Sequence, residues 1–250
     1  MARNTGKKVR RRGRRRKRGF ATWSIGKKIG AVLGGTLLGV VVIGSVILAS
    51  KMNKLSSVKL DTDKLNISDE VKHEKGYTNV ALFGLDSREN DLGKGNRSDT
   101  IMIASLNNDT KEVKLVSIYR DTLLELDDGS YNKANSAYSF GGPEGAVSLI
   151  NRNLDMNIEK YVTVNFNALV DVIDAVGGLD LELTHDEVVH MNNYCVETSK
   201  VTGKSYEKIE PEVEGTYHLN GVQAVSYSRI RYTAGGDLAR AGRQREVLQK

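Results

Sequence analysis

The sequence predicts an α/β (α+β layered) domain, a central mixed β-sheet covered by helices, preceded by one transmembrane helix. Three observations carry that reading. Short apolar runs that alternate like strands are interleaved with stretches of helical period over residues 79–250. Residues 29–50, IGAVLGGTLLGVVVIGSVILAS, form one uncharged apolar run. Positive charge is concentrated before that run, with thirteen Lys and Arg and no acid in residues 1–28.

The chain has 250 residues and a formal net charge of +6. The basic head hides the character of the rest, which carries 24 basic against 31 acidic side chains. Clustered arginine can serve nucleic acid, but here the apolar run follows at once. At 1.5 Å per residue its 22 residues reach about 33 Å, enough to cross a hydrocarbon core of roughly 30 Å. Only Lys51, Lys54 and Lys59 follow closely, so the positive-inside rule puts residues 1–28 in the cytoplasm and the remainder outside the cell. A cleaved signal peptide is the competing reading. The run exceeds the usual apolar length of such a peptide, and Val46-Ile47-Leu48-Ala49 is a poor cleavage site. The expected partners therefore include membrane lipid and exclude nucleic acid. One cysteine, Cys195, allows no internal disulfide, and four scattered histidines give no zinc spacing.

Residues 51–78 are polar and are expected to form an extracellular stalk, or an early strand, before a domain that begins at Asn79. Strands are expected at 80–85 and 100–107, with a turn at Asn108-Asp109 into a third strand that ends near Arg120 and Asp121. Gly141-Gly142-Pro143 predicts a helix start, and Ala146, Leu149, Ile150 and Leu154 continue it at helical spacing. A strand at 161–166 precedes a helix capped by Asn167 and ended by Gly177-Gly178, and LDLEL follows as a strand. Residues 186–214 are polar and expected to form a loop. Asn220 caps a short helix, and a second helix, DLARAGRQREVLQK, runs to Lys250. This last pattern has no cap, so the domain is expected to continue beyond it.

Charge recurs at the ends of these elements. Asp86, Arg88, Arg97 and Asp99 flank the first two strands, Arg120 ends the third, and Arg229, Arg231, Arg240, Arg243 and Arg245 crowd into 17 residues with Gln244 among them. A solvated basic helix explains the last group alone. Taken together, the guanidiniums can bind phosphate oxygens in bidentate fashion, and paired carboxylates can hold Mg²⁺ with water and phosphate as its other ligands. The combination describes a diphosphate site.

The segments GLDSR, RSDT, SIYRDT, YNKANSAY, FNALVDVIDAVGGLDLEL and RIRY…GDLARAGRQRE resemble the LytR-CpsA-Psr family of cell-wall ligases over residues 78–250. One departure is Tyr119, where the family usually has Pro before Arg-Asp-Thr. The resemblance implies an extracellular transferase that moves a glycopolymer from a polyprenyl diphosphate carrier to a peptidoglycan acceptor through a phosphodiester link. It implies Asp86 and Asp99 as ligands of Mg²⁺. Arg88, Arg97, Arg120, Arg229, Arg231, Arg240 and Gln244, with Lys133 and Asn135, would bind the diphosphate, and Asp99 and Arg120 would act in catalysis. Asp99 and Asp121 both remain open as the base. An apolar lipid calls for an apolar tunnel, with the sheet and the helices 143–154 and 167–176 as candidate walls. Hydrolysis of the same ligand, and a noncatalytic membrane-anchored regulator, are the alternatives. The sequence sets neither the glycopolymer nor an oligomeric state.

Overall fold

The computed structural model describes residues 58–71, 76–87 and 91–250. The basic tail, the apolar run 29–50 and Arg88 lie outside them, and among the described residues no helix is long and apolar enough to cross a membrane. A compact unit spans Lys59–Lys250. Leu65, within the stretch read as a stalk, is fully buried in that unit, and its carbonyl accepts from Asn151 Nδ2 at 2.9 Å.

The centre is a mixed sheet of four strands, β1 (Tyr77–Leu85), β2 (Ser98–Asn107), β3 (Val113–Ser117) and β6 (Lys160–Val164), in the order β3-β2-β1-β6. β1 pairs antiparallel with β2 and parallel with β6, and β2 pairs antiparallel with β3. Two small hairpins complete the β-structure, β4 (Leu123–Glu125) with β5 (Tyr131–Lys133) and β7 (Leu179–Leu183) with β8 (Gly215–Leu219). Five helices are described: α1 (Ala134–Leu154), α2 (Phe166–Ala175), α3 (His185–Thr202), α4 (Gly221–Ser228) and α5 (Gly236–Gln249).

The two-residue period of β1 sorts its side chains into two layers. Ala81, Phe83 and Leu85, with Ile101 and Ile103 of β2, pack against Ala137, Tyr138, Val147 and Ile150 of α1. A second core joins α2, α3, α4 and α5 to the β7–β8 hairpin through Val170, Leu181, Met191, Leu219 and Val225. Leu82, Gly84 and Met102 point away from α1, and the space between them and the second core is a cleft.

Local sequence explains most element ends. α1 begins at Ala134, earlier than the Pro143 start expected, because the chain is already helical before a break at Gly142, whose φ is 66°. α2 is capped by Asn165, not Asn167; the Asn165 side chain accepts from the Ala168 N–H at 2.9 Å. Gly178 follows with φ of 94°, and a Cβ there would lie 2.7 Å from the Leu219 carbonyl oxygen, so glycine is required. The stretch 186–214, expected as a loop, contains helix α3. Thr184 accepts from the Glu187 N–H and Glu187 reaches back to the Thr184 N–H, a capping box that starts it. Asn220 caps α4 in the same reciprocal way with Gln223.

Candidate active site

The carboxylate of Asp99 reaches the cleft through an irregularity in the sheet. Gly84 pairs with Thr100 but Leu85 pairs with Ser98, which leaves Asp99 as an extra residue in β2, a β-bulge. Bulges re-aim side chains beside functional sites, and Asp99 lines the cleft together with its neighbour Thr100. Gly84 makes room for the arrangement, since a Cβ there would lie 2.9 Å from the Thr100 Cβ.

Three arginines from two distant segments converge on Asp99. Arg120 Nη1 and Arg231 Nη2 donate to the same carboxylate oxygen, Oδ2, at 3.0 and 3.1 Å, and Arg240 Nη2 donates to the Asp99 carbonyl at 3.0 Å. Asp237 stands as a second counterion among them, 3.5 Å from Arg120, 3.7 Å from Arg231 and 3.6 Å from Arg240. Arg240 is only 5% exposed. Burial first, then the charges of Arg231 and Arg120, lower its hold on its proton. Burial acts on Arg120 in the same sense, but Asp99, Asp237 and Asp121 outweigh it and raise its pKa. The Nε atoms of both Arg120 and Arg240 are buried without a hydrogen-bond acceptor. Each lies beside a carboxylate without a well-formed hydrogen bond, Arg120 Nε 3.3 Å from Asp121 and Arg240 Nε 3.6 Å from Asp237, so a better-placed anion would complete them.

Arg229 is held differently. Its guanidinium pairs with Glu197 at 2.9 Å, donates to Thr198 Oγ1 at 3.0 Å, and lies over the rings of Phe166 and Tyr194, 4.4 and 5.4 Å from their centroids. The cleft, about 410 Å³, is lined beyond this polar end by Leu82, Met102, Val162, Leu169, Val172 and Val225. Helix α2 forms a wall of it, as expected. Residues 143–154 of α1 do not, because they pack on the opposite face of the sheet.

Of the residues singled out by sequence, Asp86, Asp99, Arg229, Arg231, Arg240 and Gln244 line this cleft. Arg120 lines a second cleft of about 360 Å³ that shares Asp99, Thr100, Arg240 and Gln244 with the first. Lys133 touches the cluster only at its edge, through Asp121 at 2.6 Å. Asn135 is buried, and its backbone N–H donates to the Arg120 carbonyl at 3.1 Å, so it fixes the segment that carries Arg120. Arg97 is exposed and lines neither cleft. Arg243 is a structural residue: it is buried against Glu187 at 2.8 Å, and it donates to the Ile230 carbonyl and to Thr233, which anchors the turn that presents Arg231. Arg245 ties α5 to β3 by donating to Ser117 Oγ at 2.7 Å.

Among the described residues no histidine or cysteine lines either cleft. Cys195 belongs to the second core, where burial pushes its thiol up to about 11. Asp86 and Asp99 are the two carboxylates of the first cleft. Two carboxylates, with phosphate and water to complete an octahedron, suit Mg²⁺, and Asp99 Oδ1 takes no hydrogen bond from the arginines that hold Oδ2. The donor set fits the ion.

Comparison with known proteins agrees with this geometry. The model of the LytR_cpsA_psr family matches residues 42–250. A Bacillus cereus protein named polyisoprenyl-teichoic acid–peptidoglycan teichoic acid transferase TagU is 35% identical over 237 residues, covering 91% of this chain and 68% of its own length. The crystal structure of TagT from B. subtilis superposes with a TM-score of 0.59 at 28% identity, covering 77% of this chain and 71% of the other. A TagT structure with bound octaprenyl pyrophosphate lipid gives a TM-score of 0.57 at 26% identity, over 77% of this chain and 71% of that one.

Proposed function

The chain belongs to the LytR-CpsA-Psr family, and from that premise we propose that it transfers a glycopolymer from a polyprenyl diphosphate carrier to peptidoglycan, forming a phosphodiester link. The observation that carries the reading is the continuity of an apolar cleft with an arginine cluster. An isoprenoid diphosphate is a ligand with that division, an apolar chain joined to a compact polyanion. The lipid held by TagT and the name of the TagU relative support it, and the latter favours teichoic acid as the polymer.

Phosphoryl transfer asks little covalent chemistry of a protein and much positioning and charge stabilisation. Arg120, Arg231 and Arg240 supply donors around one point, and the Nε atoms of Arg120 and Arg240, beside carboxylates but without a formed hydrogen bond, are free to take up nonbridging oxygens. Arg229, clamped by Glu197 and two rings, is a rigid donor at the cleft wall. Ligand binding exchanges the Asp99 and Asp237 contacts for phosphate contacts, so the aspartates hold the cationic site open in the meantime. Asp86 and Asp99 would hold Mg²⁺, which would neutralise charge on the diphosphate. With no thiol or imidazole among the described residues of either cleft, direct attack by a sugar hydroxyl is favoured over a covalent enzyme intermediate. The thirteen basic residues before Ile29 and the uncharged run after them support placing this site outside the cell, on a single-pass anchor.

The test is incubation of the purified protein with a radiolabelled polyprenyl diphosphate-linked glycan and peptidoglycan. Label should appear in the wall polymer, released only by phosphodiester cleavage, with polyprenyl monophosphate as the co-product. Release of soluble sugar phosphate alone, with acceptor present, would make the protein a hydrolase. Tight lipid binding without turnover would make it a regulator.

A further inference from the structure

We propose that the second cleft, lined by Ser117, Tyr119, Arg120, Asp121, Asp237 and Leu238, is the acceptor subsite, seating the wall sugar whose hydroxyl attacks the diphosphate, a reading that rests on the transferase function above. Among the described residues the two clefts share Asp99, Thr100, Arg240 and Gln244 and no other. In-line displacement brings the attacking oxygen to phosphorus from the side away from the departing one. The departing group is polyprenyl monophosphate, whose chain lies in the apolar cleft. A phosphorus held at the four shared residues therefore has its lipid on one side and the second cleft on another.

The lining suits a sugar. Tyr119 is 46% exposed and Leu238 60% exposed, and they offer one aromatic and one aliphatic surface to the C–H face of a pyranose ring. Asp121 and Asp237 add carboxylate acceptors for hydroxyls, and Ser117 a hydroxyl. The lining itself carries three carboxylates, Asp99, Asp121 and Asp237, against two guanidiniums, Arg120 and Arg240, so it has no cationic excess of its own to offer a phosphate-rich polymer. A neutral, hydroxyl-bearing ring is the better occupant. In the step itself the acceptor oxygen forms a bond to the phosphorus that carries the glycopolymer. The bond from that phosphorus to the bridging oxygen breaks, and its electron pair leaves on polyprenyl monophosphate. The hydroxyl proton passes to one of the three carboxylates of the cleft, Asp99, Asp121 or Asp237.

The substitutions Tyr119→Ala and Leu238→Trp, the first removing the ring and the second filling the space, test this in the full chain. The turn at Tyr119 is held by its own carbonyl, which accepts from the Thr122 N–H at 2.9 Å, so the side chain can be removed without loosening it. Each variant should raise the acceptor KM at least tenfold and leave the Kd for a short sugar-bearing polyprenyl diphosphate within twofold, and Tyr119→Phe should restore the wild-type KM. An acceptor KM unchanged in both variants overturns the subsite. So does a donor Kd that weakens in step with it, because the cleft would then hold the donor's own sugar. Binding of the peptidoglycan disaccharide, followed by saturation-transfer NMR, gives a readout independent of turnover. Tyr119-dependent binding by a protein that transfers nothing would keep the subsite and reject the transferase reading. Absence of disaccharide binding to the wild type would reject the subsite.

Discussion

Lysine substitutions at Arg120 and Arg240, made singly and together, ask whether two guanidiniums from distant segments hold one ligand. Arg120 Nη1 reaches Asp99 Oδ2 and Arg240 Nη2 reaches the Asp99 carbonyl, both at 3.0 Å, so one residue registers both heads. Lysine keeps the charge but replaces a planar fork with a single ammonium, and each variant loses one arm of a bidentate contact. A charge-assisted hydrogen bond contributes about 1.5–3 kcal/mol, which is about 10- to 150-fold in Kd. Surface arginines would lose no more than about 0.5 kcal/mol from the same change. Because the two heads share a ligand, the double variant should depart from additivity by about 0.5–3 kcal/mol. Isothermal titration of a short polyprenyl diphosphate into the four proteins measures the cycle, with thermal melts to confirm folding. Unchanged affinity in both single variants, or strict additivity, would refute a shared site.

Three further expectations concern the cleft carboxylates and the Arg243–Glu187 pair. Asp86→Ala and Asp99→Ala should each abolish Mg²⁺-dependent turnover, with the melting temperature of the exposed Asp86 variant unchanged; full turnover of either in excess chelator would remove the ion from the mechanism. Arg243→Met should lower Tm by about 3–12 °C, since the partly exposed Glu187 keeps its Thr184 bonds and loses one charge-assisted hydrogen bond contributing about 1.5–3 kcal/mol, and each kcal/mol shifts a unit of this size by about 2–4 °C. Adding Glu187→Gln should recover part of that loss, and a shift below about 2 °C in the single variant would assign Arg243 to the surface. The pair also sets an acid limb. Burial pushes the Glu187 carboxyl up, but the Thr184 N–H and Arg243 outweigh it and hold its pKa below the ordinary value. Its stabilisation is therefore complete above the unfolded carboxylate pKa and is lost as pH falls through the lowered folded one. Tm measured against pH should show this limb in the wild type and a weaker one in Arg243→Met.

The strands and the arginine cluster were legible because their signals are local. The short apolar runs at 80–85 and 101–106, bounded by polar residues, mark strands whatever surrounds them, and charge at strand ends is visible as composition. Helix α3 was not read, because its buried positions include Asn192, Cys195 and Thr198, so the apolar stripe that marks a helix is diluted. Thr184 followed by Glu187 was the available sign. Missing α3 also hid Glu197, the partner that distinguishes Arg229 from the other arginines. Arg240 and Arg243 lie three residues apart and are both buried, yet one faces the cleft and the other Glu187; only the fold separates them. The tunnel walls followed the same rule. Apolar residues of α1 and α2 look alike in sequence, and the face of the sheet each helix covers is a property of the chain's path.

The bulge at Asp99 makes the active site a matter of parity. Leu85 sits on the α1 side of the sheet, and Ser98 is paired with it only because β2 holds one residue more than β1 at that place. A regular ladder continued from the Gly84–Thr100 pair would instead set Asp99 opposite Leu85 and turn its carboxylate from the arginines toward an apolar layer, where an unpaired charge is not tolerated. The loop between β1 and β2 could change length freely, as surface loops do, but the count between Asp99 and Ile101 could not. Substitution would leave traces in such a site, whereas deletion of Asp99 would make the ladder regular, keep the core pairs on either side and remove the site.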